Sequence, residues 1–197
     1  MKPEALFLLL NDYADWEGAF LSAALNAGVM PDSEVKYTVK TVSPTLDAVR
    51  SLGGFRTVPD YSFDTVPADY AALVLIGGMQ WQSPEAKQAI PFIQDALSRG
   101  KIMGAICNAV SFMCACGFLN DVKHTGNTLP QLKLWGGEKY TNEAGYVEKQ
   151  AVRDNNIVTA NGTGYLEFTR ELLFLLEADT PERIEYSYDF NKNGFVR

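Results

Sequence analysis

Residues able to do covalent or proton chemistry fall at the ends of apolar runs. Cys107 closes "KIMGAIC" (101–107), and a helical pattern, Asn108–Cys116, follows at once. A nucleophile on so sharp a strand-to-helix turn is pushed clear of the sheet. In Gly104-Ala-Ile-Cys107-Asn-Ala109 the small residues let the crowded backbone make that turn. The helix starting at Asn108 would aim free N–H groups and a positive dipole end at the sulfur, predicting a lowered thiol pKa. The plainer alternative is a core cysteine that ends a strand.

Two other strand ends carry candidates. After "ALFLLL" (5–10) comes "NDYADWEG", with Glu17 in the first turn of a helix. It either partners the helix dipole, as Asp12 or Asp15 would, or reaches Cys107. A protonated carboxyl there would donate to the thiolate, and burial beside a like charge would keep it protonated. After Ile76 comes "GGMQW" (77–81), where Gly77-Gly78 free the Gly78 and Met79 N–H groups to form an oxyanion hole with the Asn108 N–H. A turn needing positive φ explains the glycines equally well. His124, the one histidine, is the only imidazole base available to Cys107 within the subunit; "KHTGN" otherwise reads as an exposed polar loop.

The elements that must position these residues alternate. Strands are expected at 5–10, 35–43, 71–78 and 101–107, and helices at 16–26, 84–99, 108–116 and 165–177. A short hairpin is expected around Gly53-Gly54 and a second through Asp154-Asn155, with a last helix capped by Thr180-Pro181. Continuous apolar runs imply a mostly parallel sheet covered on both faces, an α/β class that binds ligands beyond the carboxyl ends of its strands.

Length and composition set the bounds. A chain of 197 residues is most simply one domain burying about 70% of its unfolded surface. A net charge of −7 with scattered basic residues argues against nucleic acid or an anionic membrane as partner. No apolar stretch approaches the roughly 18 residues that span a bilayer, and none resembles a secretory leader, so a cytoplasmic protein is expected. Three cysteines confined to 107–116 make neither a disulfide framework nor a zinc site, and no metal or organic cofactor is implied.

"LFLLLNDYADWEGAFL", "YAALVLIGGMQW", "GKIMGAICNAVSFMCACGFLND" and "NIVTANGTGYLEFTRELLFLLE" together resemble the ThiJ/PfpI family, within the class I glutamine amidotransferase-like superfamily. The resemblance implies a flavodoxin-like three-layer sandwich with a nucleophile elbow, a reactive Cys107 hydrogen-bonded to Glu17, a small-molecule substrate and a homodimer. Protease-like members place histidine directly after the cysteine, where this chain has Asn108. Deglycase-like members place it about twenty residues later, where this chain has Asn127, three residues beyond His124. Glutaminases of the superfamily complete a triad with a C-terminal His-x-Glu, and no histidine follows His124 here, so glutamine hydrolysis is not expected. The implied activity is a cysteine-dependent small-molecule hydrolase, hydratase or aldehyde-processing enzyme. The alternative is a redox-sensing or stress-responsive chaperone-like protein with an oxidisable Cys107 and no turnover. Tyr13, Trp16, Trp81 and Trp135 are either pocket walls or core.

Overall fold

The computed structural model describes residues 2–194. Along the chain run β1 (Glu4–Leu8), α1 (Asp15–Ala27), β2 (Thr38–Ser43), β3 (Val49–Arg50), β4 (Arg56–Thr57), β5 (Tyr61–Ser62), β6 (Ala72–Leu75), α2 (Pro84–Gln88), α3 (Ile90–Ser98) and β7 (Ile102–Ile106). Then come α4 (Asn108–Ala115), α5 (Leu129–Gly136), β8 (Ala151–Asp154), β9 (Ile157–Ala160), α6 (Tyr165–Leu175) and α7 (Pro181–Asn193). Seven strands form one sheet in the order β5-β2-β1-β6-β7-β9-β8, and β3 pairs with β4 as a separate hairpin. Every pairing in the large sheet is parallel except β8 with β9.

The continuous apolar runs are explained by two cores. Along β1, Leu6 and Leu8 enter one core while Ala5 and Phe7 enter the other. The first core is completed by α2 to α5, through Ala86, Ile93, Val110, Met113 and Leu132. The second is completed by α1, α6 and α7, through Leu21, Leu25, Phe168, Leu172 and Ile184. A strand buried on both faces has no reason to alternate polar with apolar. The result is the expected flavodoxin-like sandwich, with β1 and β6 flanking the point where the strand order reverses.

Differences from expectation have local causes. The helix expected over 84–99 breaks at Ala89, because Pro91 has no N–H to donate and its ring collides with the preceding turn. Pro91 instead occupies the first turn of a new helix, α3. Neither α5 nor β5 was foreseen; α5 is capped by Thr128, whose hydroxyl accepts the Gln131 N–H. Among the described residues no helix is long and apolar enough to cross a membrane.

Candidate active site

Cys107 is the residue between β7 and α4, with φ 60° and ψ −127°. A non-glycine side chain in this region is strained, and two backbone bonds hold it there: Cys107 N–H donates to Ala160 O at 2.9 Å, and Cys107 O accepts from Val110 N at 3.1 Å. The elbow expected from the sequence is therefore present.

Glu17 rises from the first turn of α1 and is 1% exposed. Its carboxyl lies against the Cys107 sulfur and the Gly77 N–H, both of which draw its pKa down, yet neither oxygen makes a well-formed hydrogen bond. Gly77 is required by this proximity. A Cβ there would stand 2.3 Å from Glu17 Oε2 and 2.7 Å from Cys107 Cβ.

Burial outweighs those two contacts and raises the Glu17 carboxyl to about 7. The Cys107 thiol is pushed up to about 11, first by burial and then by the negative charge of Glu17. Asn127 and the Asn108 N–H pull it partway back. The thiol is thus raised, against the lowering expected from the helix N-terminus, because desolvation and a facing carboxylate exceed what Asn127 and the Asn108 N–H return. The pair therefore holds two protons below about pH 7 and a single one, on the sulfur, above it.

The other predicted residues divide. Asn127 reaches the sulfur, its Nδ2 donating at 3.3 Å. Its amide orientation is fixed, because Oδ1 accepts the Gly162 N–H at 2.9 Å. Asn108 donates through Nδ2 to Gly78 O at 2.8 Å and accepts at Oδ1 from Gln131 Nε2 at 2.8 Å. Its backbone N–H faces the sulfur. The Gly78 N–H has no acceptor among the described residues. Met79 drops out of the expected oxyanion hole, since its N–H donates to Asp12 O at 3.1 Å.

His124 is a correction. It is fully buried rather than exposed. One ring nitrogen contacts Val122 O at 2.9 Å and the other Tyr140 Oη at 2.7 Å. Both nitrogens are committed, so neither serves Cys107, and burial lowers the ring's pKa. Replacing His124 by Ala is expected to cost about 2–4 kcal/mol in urea denaturation. The pH midpoint of Cys107 labelling should not move; a displaced midpoint would restore His124 to the site.

Gly162 is the residue sequence reasoning missed. A Cβ there would lie 3.0 Å from Cys107 Sγ, so any side chain would crowd the sulfur that glycine leaves clear. Its carbonyl accepts from Trp16 Nε1 at 3.2 Å, tying this loop to α1. Trp81 is core, packed on Phe112. A groove of about 700 Å³, walled by residues 125–130, by Tyr146, by residues 148–150 and by Asn161, shares Asn127 with the surroundings of the sulfur. Among the described residues no cluster of three or more His, Cys, Asp or Glu could hold a metal.

Comparison with known proteins identifies the family. A Bacillus subtilis protein named uncharacterized protease YdeA is 44% identical over 98% of this chain and 92% of its own length. A second, uncharacterized protease YoaZ, is 33% identical over the same shares. The crystal structure of the thiJ/pfpI family protein from Bacillus anthracis superposes with a TM-score of 0.90 at 32% identity, covering 99% of this chain and 92% of that one. The DJ-1 superfamily protein Atu0886 from Agrobacterium tumefaciens gives 0.86 at 32% identity, over 98% and 100%. With the sequence model described as DJ-1/PfpI family matching residues 3–175, the chain belongs to the DJ-1/PfpI family.

Proposed function

We propose that the protein is a cysteine-dependent enzyme acting on small carbonyl compounds, with Cys107 as nucleophile and Glu17 as the acid–base group at the sulfur. The observation that carries this reading is the buried Glu17 carboxyl, raised to about 7 and set against Cys107 without any well-formed hydrogen bond. A group of that pKa gives and takes a proton readily at neutral pH. As the sulfur bonds to the carbonyl carbon, the thiol proton passes to the Glu17 carboxylate and the C=O π electrons move to oxygen. The Asn108 and Gly78 N–H groups are the donors available to that oxyanion. Glu17 then returns the proton to the oxygen, leaving a hemithioacetal when the substrate is an aldehyde.

Peptide cleavage makes a further demand, an acid for the departing amine. The imidazole that commonly meets it is committed elsewhere in this chain. Aldehyde processing or hydration therefore fits better than proteolysis. A redox-sensing Cys107 without turnover is the competing reading; both readings need the sulfur to lose its proton, and turnover is what separates them. In this reading the active form is a cytoplasmic homodimer, and Leu52, Phe55 and Val58 expose apolar surface suited to a second copy.

Turnover of a panel of short aldehydes, followed by proton NMR in the parent protein and in Cys107→Ala, tests the assignment. Turnover should fall by at least about 10³-fold on losing the nucleophile. Undiminished turnover in Cys107→Ala would remove the covalent mechanism. Oxidation of Cys107 to sulfinate in a protein that turns over none of the panel would instead favour the sensor.

A further inference from the structure

The groove walled in part by Asn127 is far larger than a two- or three-carbon aldehyde needs, and its volume of about 700 Å³ sits within the range of true ligand sites. One residue, Asn127, belongs to both the groove and the sulfur's surroundings, where it donates to Cys107 Sγ, and a second wall residue, Asn161, is next in sequence to Gly162.

Most of the wall's neutral polar side chains already have partners. Asn161 Nδ2 donates to Gln150 Oε1, which also accepts from Thr163 Oγ1. The Thr128 hydroxyl caps α5. Two charged groups are not spent. Glu148 and Lys149 both line the groove, and neither takes part in an ion pair or a side-chain hydrogen bond among the described residues. The first residues of α5, Leu129 and Pro130, belong to the same wall and bring the helix's positive end to it. An unpaired carboxylate and an unpaired ammonium in one groove complement a ligand carrying both opposite charges.

Resting on the carbonyl reading above, we propose that the groove recognises zwitterionic substrates: molecules of amino-acid size that bear an ammonium for Glu148, a carboxylate for Lys149 and an aldehyde directed at Cys107. The aldehyde adds to sulfur as already described, with no other reactant required, and the charged end remains in the groove.

Three four-carbon aldehydes separate the contributions: butanal without charge, succinic semialdehyde with the carboxylate alone, and aspartate β-semialdehyde with both charges. Each is tested for protection of Cys107 against iodoacetamide, read by peptide mass spectrometry on the full chain. Aspartate β-semialdehyde should protect at roughly tenfold lower concentration than butanal, with succinic semialdehyde between, about threefold for each exposed charge pair. In Lys149→Met the ratio between succinic semialdehyde and butanal should collapse toward one. In Glu148→Gln the ratio between aspartate β-semialdehyde and succinic semialdehyde should collapse. Comparing ratios between parent and variants cancels the intrinsic reactivity of each aldehyde. Equal protection by all three, or an order that survives both substitutions, overturns the proposal and leaves the carbonyl reading standing. Protection by none of them overturns the carbonyl reading, and this proposal with it.

Discussion

Glu17→Gln is expected to be more stable than the parent protein at pH 8 and nearly inert. The carboxyl stands at about 7 in the folded protein against an ordinary 4.5. A carboxyl raised in this way leaves stability intact below about 4.5 and withdraws it as the pH climbs through 7. The withdrawal amounts to about 3 kcal/mol once both states are ionised. Glutamine never ionises and occupies nearly the same volume. Urea midpoints should therefore favour the variant at pH 8 and converge toward pH 4.5. A gap of equal size at both pH values would mean that the carboxyl's charge is not what the fold resists. Turnover, with its proton carrier gone, should drop about 10²–10⁴-fold. Cys107 should label faster at pH 8, since the negative charge that raises its pKa is removed. A gain in thiol reactivity alongside a loss of turnover is an outcome that general misfolding would not produce.

Cys107→Gly should be more stable than Cys107→Ala, although both lose catalysis. The backbone at φ 60°, ψ −127° suits glycine and costs other residues about 1–3 kcal/mol. Alanine keeps that cost and glycine relieves it, returning about 1 kcal/mol through its greater freedom in the unfolded chain. The net expected advantage of glycine is about 1 kcal/mol in thermal or urea denaturation. Alanine proving the more stable of the two would show that no strain resides at the elbow.

The sheet was legible because its strands are buried on both faces and flanked by helices with clear stops. What escaped were elements whose determinants are not periodic. The segment Leu129–Gly136 contains a proline and a glycine, and only the Thr128 cap and burial of Leu132 make it a helix. At the site, Cys107, Glu17 and Gly77 could be read because each terminates or follows an apolar run. Asn127 was found through the family's spacing. Gly162 was invisible, since a glycine in "NGTG" signals only a turn until the loop is seen lying over the sulfur. His124 misled for the opposite reason. Its neighbours in sequence are polar, and the partner that buries it, Tyr140, lies sixteen residues away.

Because Gly162 closes over a sulfur that precedes it by more than fifty positions, the order of synthesis matters. A ribosome adding roughly 5–20 residues per second needs several seconds to travel from Cys107 to Gly162. Throughout that interval the nascent chain carries its nucleophile without the loop that encloses it. Until that loop folds over it the thiol is an ordinary unfolded cysteine, and the raised pKa of the folded protein is a property it acquires late in its own synthesis.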